Sequence, residues 1–157
     1  MSIKVFVYGT LKRNEPNHSW LSKEENGTAV FIGEGVTKKK YPLIIATRYN
    51  VPFILYKPGV GHNIKGEIYD VDEKMLSKLD ILEDYPHTYV RDIDDILLRT
   101  ADKTETVKCW VYFMKSFKDD LLSLPVFKEY SSTANHGLKY VEVHEQDPNF
   151  DFTVELR

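Results

Sequence analysis

The sequence is short of several things, and each shortage removes a class of answer. It holds a single cysteine, Cys109, in 157 residues. No intramolecular disulfide is possible, so a disulfide-stapled secreted scaffold is excluded, and a zinc knuckle has too few thiolates. It holds four alanines (Ala29, Ala46, Ala101 and Ala134), which argues against a helical bundle, because alanine is the residue that helices favour most. Positive charge is not in excess: 21 Lys and Arg face 24 Asp and Glu, for a net charge of −3. That balance carries no electrostatic footprint for nucleic acid. The one basic run, Lys38-Lys39-Lys40, is expected as a solvated loop ahead of a strand. No stretch approaches the ~20 apolar residues of a membrane span. The apolar run after Met1-Ser2-Ile3-Lys4 is too short for a signal-peptide core and lacks a small-residue cleavage site. These absences lead to the expectation of a cytoplasmic protein with neither membrane nor nucleic acid as partner.

What is present points to a sheet. There are 14 Val, 10 Ile and 10 Thr, with 20 aromatics made of 10 Tyr, 8 Phe and 2 Trp. Pleated strands accept β-branched and aromatic side chains well. The expected class is α+β, a small mixed β-barrel or sheet with a few flanking helices. A chain of this length suits one domain over residues 1–157, and no repeat, linker or low-complexity tract divides it.

Along the chain, Val5 to Tyr8 is a short apolar run stopped by Gly9, a buried strand ending in a tight turn. Leu11 to Leu21 is polar and reads as a loop with one helical turn. Ala29 to Thr37, with two glycines, predicts a bulged strand. Tyr41 to Thr47 and Pro52 to Tyr56 predict further strands. Lys57-Pro58-Gly59-Val60-Gly61 reverses the chain, and Gly66 to Val71 follows as a strand. The period then changes: Asp72 caps a helix carrying Met75, Leu76, Leu79 and Leu82, which runs to about Glu83 ahead of Pro86. Tyr89 to Leu98 and Val107 to Met114 are strands, the second with Cys109, Val111 and Phe113 on one face and Trp110, Tyr112 and Met114 on the other. Asp119 to Leu124 predicts a short helix, and Val141 with Val143 a last strand.

The most informative residue is a carboxylate on the apolar side of a helix. At ~100° per residue with Met75 at zero, Leu79 falls near about 40°, Leu76 near about 100° and Leu82 near about 340°. Glu83 lands near about 80°, inside that arc, whereas Asp80 and Asp84 lie at or beyond its edge. Glu83 also sits in the last turn, where the helix dipole disfavours negative charge. Burial and dipole both raise its pKa, which suits a group that takes and returns a proton near neutrality. The pattern leaves one bland alternative open, a structural carboxylate turned to solvent or paired with Arg91.

Tyr8-Gly9-Thr10-Leu11 is the second candidate. Backbone N–H groups at such a strand-end turn can face a ligand and hold an anion or a developing oxyanion. A plain turn is the alternative. Other signals are missing. There is no phosphate-binding loop, and Gly59-Val60-Gly61 meets Ile64 where a dinucleotide fingerprint needs its third glycine. His18, His62, His87, His136 and His144 show no metal spacing. No Gly-x-Ser-x-Gly occurs, and Cys109 sits mid-strand, where a buried inert thiol is expected. No metal or cofactor is expected. His136, in Asn135-His136-Gly137, is a possible ligand-loop residue.

Taken in order, these segments resemble the gamma-glutamylcyclotransferase-like superfamily, and within it the gamma-glutamylamine cyclotransferase branch. The resemblance rests on Val5-Phe6-Val7-Tyr8-Gly9-Thr10-Leu11-Lys12-Arg13, Pro16-Asn17-His18, Tyr41-Pro42-Leu43, Asn50-Val51-Pro52-Phe53 and Gly66-Glu67-Ile68-Tyr69. It continues through Val71 to Leu76, Leu79-Asp80, Glu83, Pro86, Tyr89, Arg91 and His136 to Tyr140. It implies a small mixed barrel and an intramolecular aminolysis, in which the α-amine of a γ-glutamyl group attacks its own γ-carbonyl and releases 5-oxoproline and an amine. The implied substrate is a γ-glutamyl-amine such as ε-(γ-glutamyl)-lysine, an isopeptide degradation product. By the same resemblance Glu83 is the catalytic residue, Tyr8, Gly9, Thr10 and Leu11 bind substrate, and Tyr89 and His136 are possible pocket-lining residues. A monomer is favoured. Sister branches that act on γ-glutamyl amino acids share the turn and the glutamate, so that substrate, or a non-catalytic small-molecule-binding module, is the alternative. The tail after Tyr140, with Phe150 and Phe152, is longer than the family core needs and is expected to cover the pocket mouth or make a dimer contact.

Overall fold

Five strands close on one another in the computed structural model, which describes residues 3–134 and 136–157. Around the barrel they run β1 (Ile3–Val7), β5 (His62–Val71), β2 (Ala29–Tyr41), β6 (Val90–Arg99) and β7 (Thr104–Phe113), with β7 returning to β1. All neighbours are antiparallel except β1 and β7, which meet in parallel at Val5 and Trp110. A separate hairpin is made by β3 (Leu43–Ala46) and β4 (Val51–Ile54). The helices are α1 (Ser19–Ser22), α2 (Glu73–Leu82) and α3 (Thr153–Leu156). Closure leaves the barrel strands without a bare edge. No helix among the described residues is long and apolar enough to cross a membrane.

β1 shows why both faces of its sequence are apolar. Phe6 and Tyr8 join one buried cluster with Ile68, Ile96, Val111 and Phe113. Val5 and Val7 join another, with Tyr69, Val71, Met75, Leu79 and Tyr112. A strand covered on both faces loses the polar alternation of a half-exposed one. The two faces expected of the Val107–Met114 segment divide the same way: Cys109, Val111 and Phe113 go to the first cluster, Tyr112 and Met114 to the second. Burial pushes the Cys109 thiol up to about 12, so it stays protonated and inert.

The helix that carries the candidate carboxylate starts where expected. The Asp72 side chain accepts a hydrogen bond from the Met75 amide at 2.8 Å, which satisfies one of the free amides of the first turn. Met75 and Leu79 are fully buried, and they press α2 onto the outside of the barrel. Glu83 is the C-cap, its amide still bonded to the Leu79 carbonyl at 2.9 Å. The next residue, Asp84, takes a left-handed φ of 51° and turns the chain away.

Four local expectations need correction. Lys38, Lys39 and Lys40 belong to β2 rather than to a loop. The strand is bulged there, and its register shifts between Val36 and Lys40. Buried Thr37 spans the irregularity by donating to the Lys39 carbonyl and accepting from the Ile64 amide. Tyr41 ends β2, and the following strand begins only at Leu43, because Pro42 breaks the ladder. The segment Asp119–Ser123 is a 3₁₀ turn instead of an α-helix. Val141 and Val143 form no strand; Val143–Glu145 is a 3₁₀ turn. The reversal at Lys57 to Gly61 stands where expected, and Gly61 is needed there: its φ is +92°, and a Cβ would lie 2.3 Å from the Tyr41 carbonyl oxygen.

Candidate active site

A cleft opens where the turn after β1, the β3–β4 hairpin, the end of α2 and the C-terminal tail converge. Its empty space is about 850 Å³, open solvent at the mouth included. Tyr8, Gly9, Thr10, Leu11, Glu83 and Tyr89 all line it. His136 does not. Its ring bonds the Ser131 carbonyl and the Leu138 amide and stacks on Tyr130, so it holds its own loop together. Asn135, beside it, lies outside the described residues, as do Met1 and Ser2.

Glu83 stands in this cleft without a cation. Among the described residues no hydrogen bond or ion pair reaches its carboxylate. The alternative partner, Arg91, is committed to Asp80 through two bonds, Nε to Oδ1 at 2.8 Å and a terminal nitrogen to Oδ2 at 3.1 Å. Its guanidinium also lies over the rings of Tyr85 and Trp110, at 4.8 and 4.5 Å. Asp80 further accepts from the Tyr112 hydroxyl at 2.7 Å. Two carboxylates on adjacent turns of α2 therefore have opposite environments. Asp80 is fully partnered. Burial, and secondarily the negative charge of Asp80, push Glu83 from 4.5 up to about 8.

Four tyrosines surround that carboxylate. Tyr8, Tyr89, Tyr112 and Tyr140 are all raised, chiefly by burial and in part by Glu83, so all four stay neutral phenols at physiological pH. Their hydroxyls serve the scaffold. Tyr8 donates to the Tyr112 carbonyl at 2.8 Å, and Tyr89 to the Pro52 carbonyl at 2.9 Å. Tyr89 stacks on Phe53 with centroids 5.2 Å apart. The floor is aromatic and buried, which explains why the charged form of Glu83 is disfavoured.

The turn contributes polar groups of another kind. Among the described residues the amides of Gly9, Thr10 and Leu11 find no acceptor, whereas the Gly9 and Thr10 carbonyls accept from the Lys12 and Asn17 amides. Three successive N–H groups are thus left for a ligand. Asn17, which also lines the cleft, ties the turn to the tail: its Nδ2 donates to Thr10 Oγ1 at 2.9 Å and to the Tyr140 hydroxyl at 3.0 Å. His18 Nδ1 lies 3.0 Å from the Leu11 carbonyl. Asn17, Tyr112 and Tyr140 were not among the sequence-derived site residues. Asn17 and Tyr140 stand within motifs of the resemblance, but nothing local marks a contact across 123 positions.

A protonatable carboxylate and free backbone amides in the lining of one cleft are what this family resemblance implies. The model for gamma-glutamyl cyclotransferase, AIG2-like proteins matches residues 5–132. The chain belongs to that family. It is 53% identical over 133 residues to the Drosophila melanogaster protein named "Putative gamma-glutamylcyclotransferase CG2811", a match spanning 85% of this chain and 83% of that one. It is 42% identical over 140 residues to the gamma-glutamylaminecyclotransferase of Mus musculus, spanning 87% of this chain and 94% of the mouse protein. The crystal structure of an AIG2-like protein from Mus musculus superposes with a TM-score of 0.88 at 40% identity, covering 92% of this chain and 99% of that one. The small mixed barrel is the fold of the family.

Proposed function

We propose that this protein is a cofactor-free cyclotransferase that converts a γ-glutamyl-amine, such as ε-(γ-glutamyl)-lysine, to 5-oxoproline and the free amine. The observation that carries the proposal is the uncompensated Glu83 sharing one cleft with the unpartnered amides of the Gly9–Leu11 turn. The substrate's α-amine forms a bond to its own γ-carbonyl carbon, and the amide C–N bond breaks. The α-ammonium gives up two protons as it becomes the ring N–H, and Glu83 relays them in turn to the departing nitrogen, which leaves as an ammonium, so no proton is gained or lost overall. Burial raises its pKa to about 8, which narrows the gap between this carboxyl and an amine and makes proton transfer between them less costly than with an ordinary carboxylate. The turn amides hold the carbonyl oxygen as negative charge develops on it; one such donor is typically worth about 10²–10³ in turnover. The nucleophile arrives with the substrate, so the enzyme's main task is to hold a near-attack geometry in a rigid pocket. Incubation with ε-(γ-glutamyl)-lysine and with γ-glutamylalanine, with 5-oxoproline quantified, tests the reading. Product from the isopeptide supports it. Product from γ-glutamylalanine alone moves the assignment to the amino-acid branch, and product from neither overturns the activity.

The rest of the reading is a single domain, working as a monomer in the cytoplasm on a small molecule. Sedimentation or gel filtration of the purified chain tests the oligomeric part.

Asp80 gives a separate check on Glu83. In Asp80→Asn the neighbouring negative charge is lost, and Arg91 is left without its carboxylate. Both changes favour the ionised form of Glu83. The acid limb of kcat/KM is expected to move to lower pH by on the order of one pH unit, measured as a pH–rate profile against wild type. An unmoved limb would show that the limb does not report Glu83.

A further inference from the structure

The cleft has an anion to hold and no cation to hold it with. A γ-glutamyl group carries an α-carboxylate, yet among the described residues no Lys, Arg or His lines the cleft. We infer that Asn17 is a positioning residue that turns the hydroxyl hydrogens of Thr10 and Tyr140 into the cleft, where the two hydroxyls hold that carboxylate. The inference rests on the cyclotransferase reading and deepens it.

Asn17 decides which way these hydroxyls face. It is 8% exposed, and both hydrogens of its Nδ2 are spent on hydroxyl oxygens, Thr10 Oγ1 and that of Tyr140. A hydroxyl has one hydrogen to give, and when its oxygen accepts from a neighbour that hydrogen is directed elsewhere. Among the described residues no protein group accepts it from either hydroxyl. Thr10, Asn17 and Tyr140 all line the cleft, so a ligand there is the acceptor left to them. The neighbouring phenols differ. Tyr8, Tyr89 and Tyr112 spend their hydrogens on the Tyr112 carbonyl, the Pro52 carbonyl and Asp80. Of the four tyrosines, Tyr140 keeps its own.

Both hydroxyls are held where they stand. The Thr10 carbonyl accepts from the Asn17 amide at 2.8 Å. Tyr140 lies beyond residue 132, where the family match ends, and the seat of the tail fixes it. Asn50 Nδ2 donates to the Lys139 carbonyl at 2.7 Å, and the Val141 amide donates to the Tyr49 carbonyl at 3.0 Å. Farther along, Phe152 packs edge-on to Tyr49 and Phe53, and the Arg48 guanidinium lies 4.3 Å over Phe150.

Neutral donors also suit the chemistry next to them. A lysine or arginine in this cleft would pair with Glu83 and hold its carboxyl ionised. Hydroxyls leave the raised pKa of Glu83 alone, and a hydrogen bond to a charged acceptor is still roughly twice as strong as a neutral one.

The test measures dissociation constants of 5-oxoproline and of 5-oxoprolinamide, which carries a neutral amide in place of the carboxylate. Tyr140→Phe removes one oxygen and leaves the ring. It is expected to weaken 5-oxoproline by about tenfold, the scale of a hydrogen bond to a charged group, and 5-oxoprolinamide much less. Asn17→Asp keeps the shape of the side chain but only accepts, so both hydroxyls give their hydrogens to it. In that background Tyr140→Phe should weaken 5-oxoproline by less than about twofold, because the two positions act as one unit. The added charge at position 17 is present in both members of that comparison and cancels. An unchanged constant for 5-oxoproline in Tyr140→Phe, equal weakening of the acid and the amide, or a loss that persists in full in Asn17→Asp would each overturn the assignment. So would a wild type that turns over ε-(γ-glutamyl)-lysine without preferring 5-oxoproline to its amide. Wild-type protein that neither turns over the isopeptide nor binds 5-oxoproline would instead overturn the cyclotransferase reading beneath it.

Discussion

Glu83→Gln is expected to remove turnover and to make the protein more stable, with the gain growing as pH rises. The activity term follows from the loss of the group proposed to carry the proton; general acid–base groups typically contribute about 10²–10⁴ in rate. The stability term follows from linkage. Below pH 4.5 the carboxyl is protonated in both folded and unfolded chains, and burial costs nothing extra. Between 4.5 and about 8 the unfolded chain gives up the proton while the folded chain keeps it, so wild-type stability falls as pH rises. Above that window the difference is constant. Glutamine has no proton to lose and escapes the penalty. The full window corresponds to on the order of a few kcal/mol, reduced because Glu83 keeps some exposure to the cleft. The fixed cost of a glutamine amide without partners offsets part of it at every pH. The diagnostic is therefore the slope: melting temperatures of wild type and variant, measured from pH 5 to 9, should separate through the window and run parallel above it. Parallel curves throughout would mean that Glu83 titrates normally and is unsuited to the proposed role.

This conflict between stability and chemistry is what made Glu83 visible in the sequence. A helical wheel that places a glutamate among Met75, Leu79 and Leu82 describes a violation of ordinary patterning, and such violations concentrate at functional sites. The same local logic located α2, through the Asp72 cap and the spacing of Met75 and Leu79, and β1, through an apolar run ended by Gly9. It failed where the deciding interaction is remote. Lys38 to Lys40 look like a loop because nothing nearby shows that Thr37 and the Ile64 amide hold the bulged strand in register. The sequence left Glu83 free to pair with Arg91, whereas the fold gives Arg91 to Asp80, a carboxylate that also accepts from Tyr112 of a different strand. The tail was legible as surplus length with aromatic residues. Its seat against Tyr49, Phe53 and Arg48 was not, since ring contacts between Tyr49 and Phe150 or Phe152 leave no periodic trace in either segment.

Gly9→Ala is expected to disable the site while leaving the barrel folded. A Cβ at position 9 would lie 2.8 Å from Pro52 Cγ and 3.6 Å from Pro52 Cβ, and a proline ring cannot rotate out of the way. Pro52 is itself held, paired with Ile45 in the β3–β4 hairpin and bonded through its carbonyl to the Tyr89 hydroxyl. Either the turn lifts, carrying the Gly9, Thr10 and Leu11 amides away from Glu83, or the hairpin yields and takes Tyr89 with it. Both move the turn amides relative to the base. A misplacement of roughly 1 Å costs about 10²-fold in rate. The stability cost of overpacking, about 1–3 kcal/mol, is partly offset by the smaller conformational freedom that alanine gives the unfolded chain. Turnover should therefore fall far more than the melting temperature does. A rescue separates this from general damage: Pro52→Ala removes the ring carbon that the new methyl meets, so the Gly9→Ala, Pro52→Ala double variant should recover part of the lost kcat relative to Gly9→Ala alone. Effects of the two substitutions that simply multiply would show that they do not act on each other. Wild-type kcat in Gly9→Ala would remove the turn from the mechanism, because displacing its amides would then make no difference to the rate.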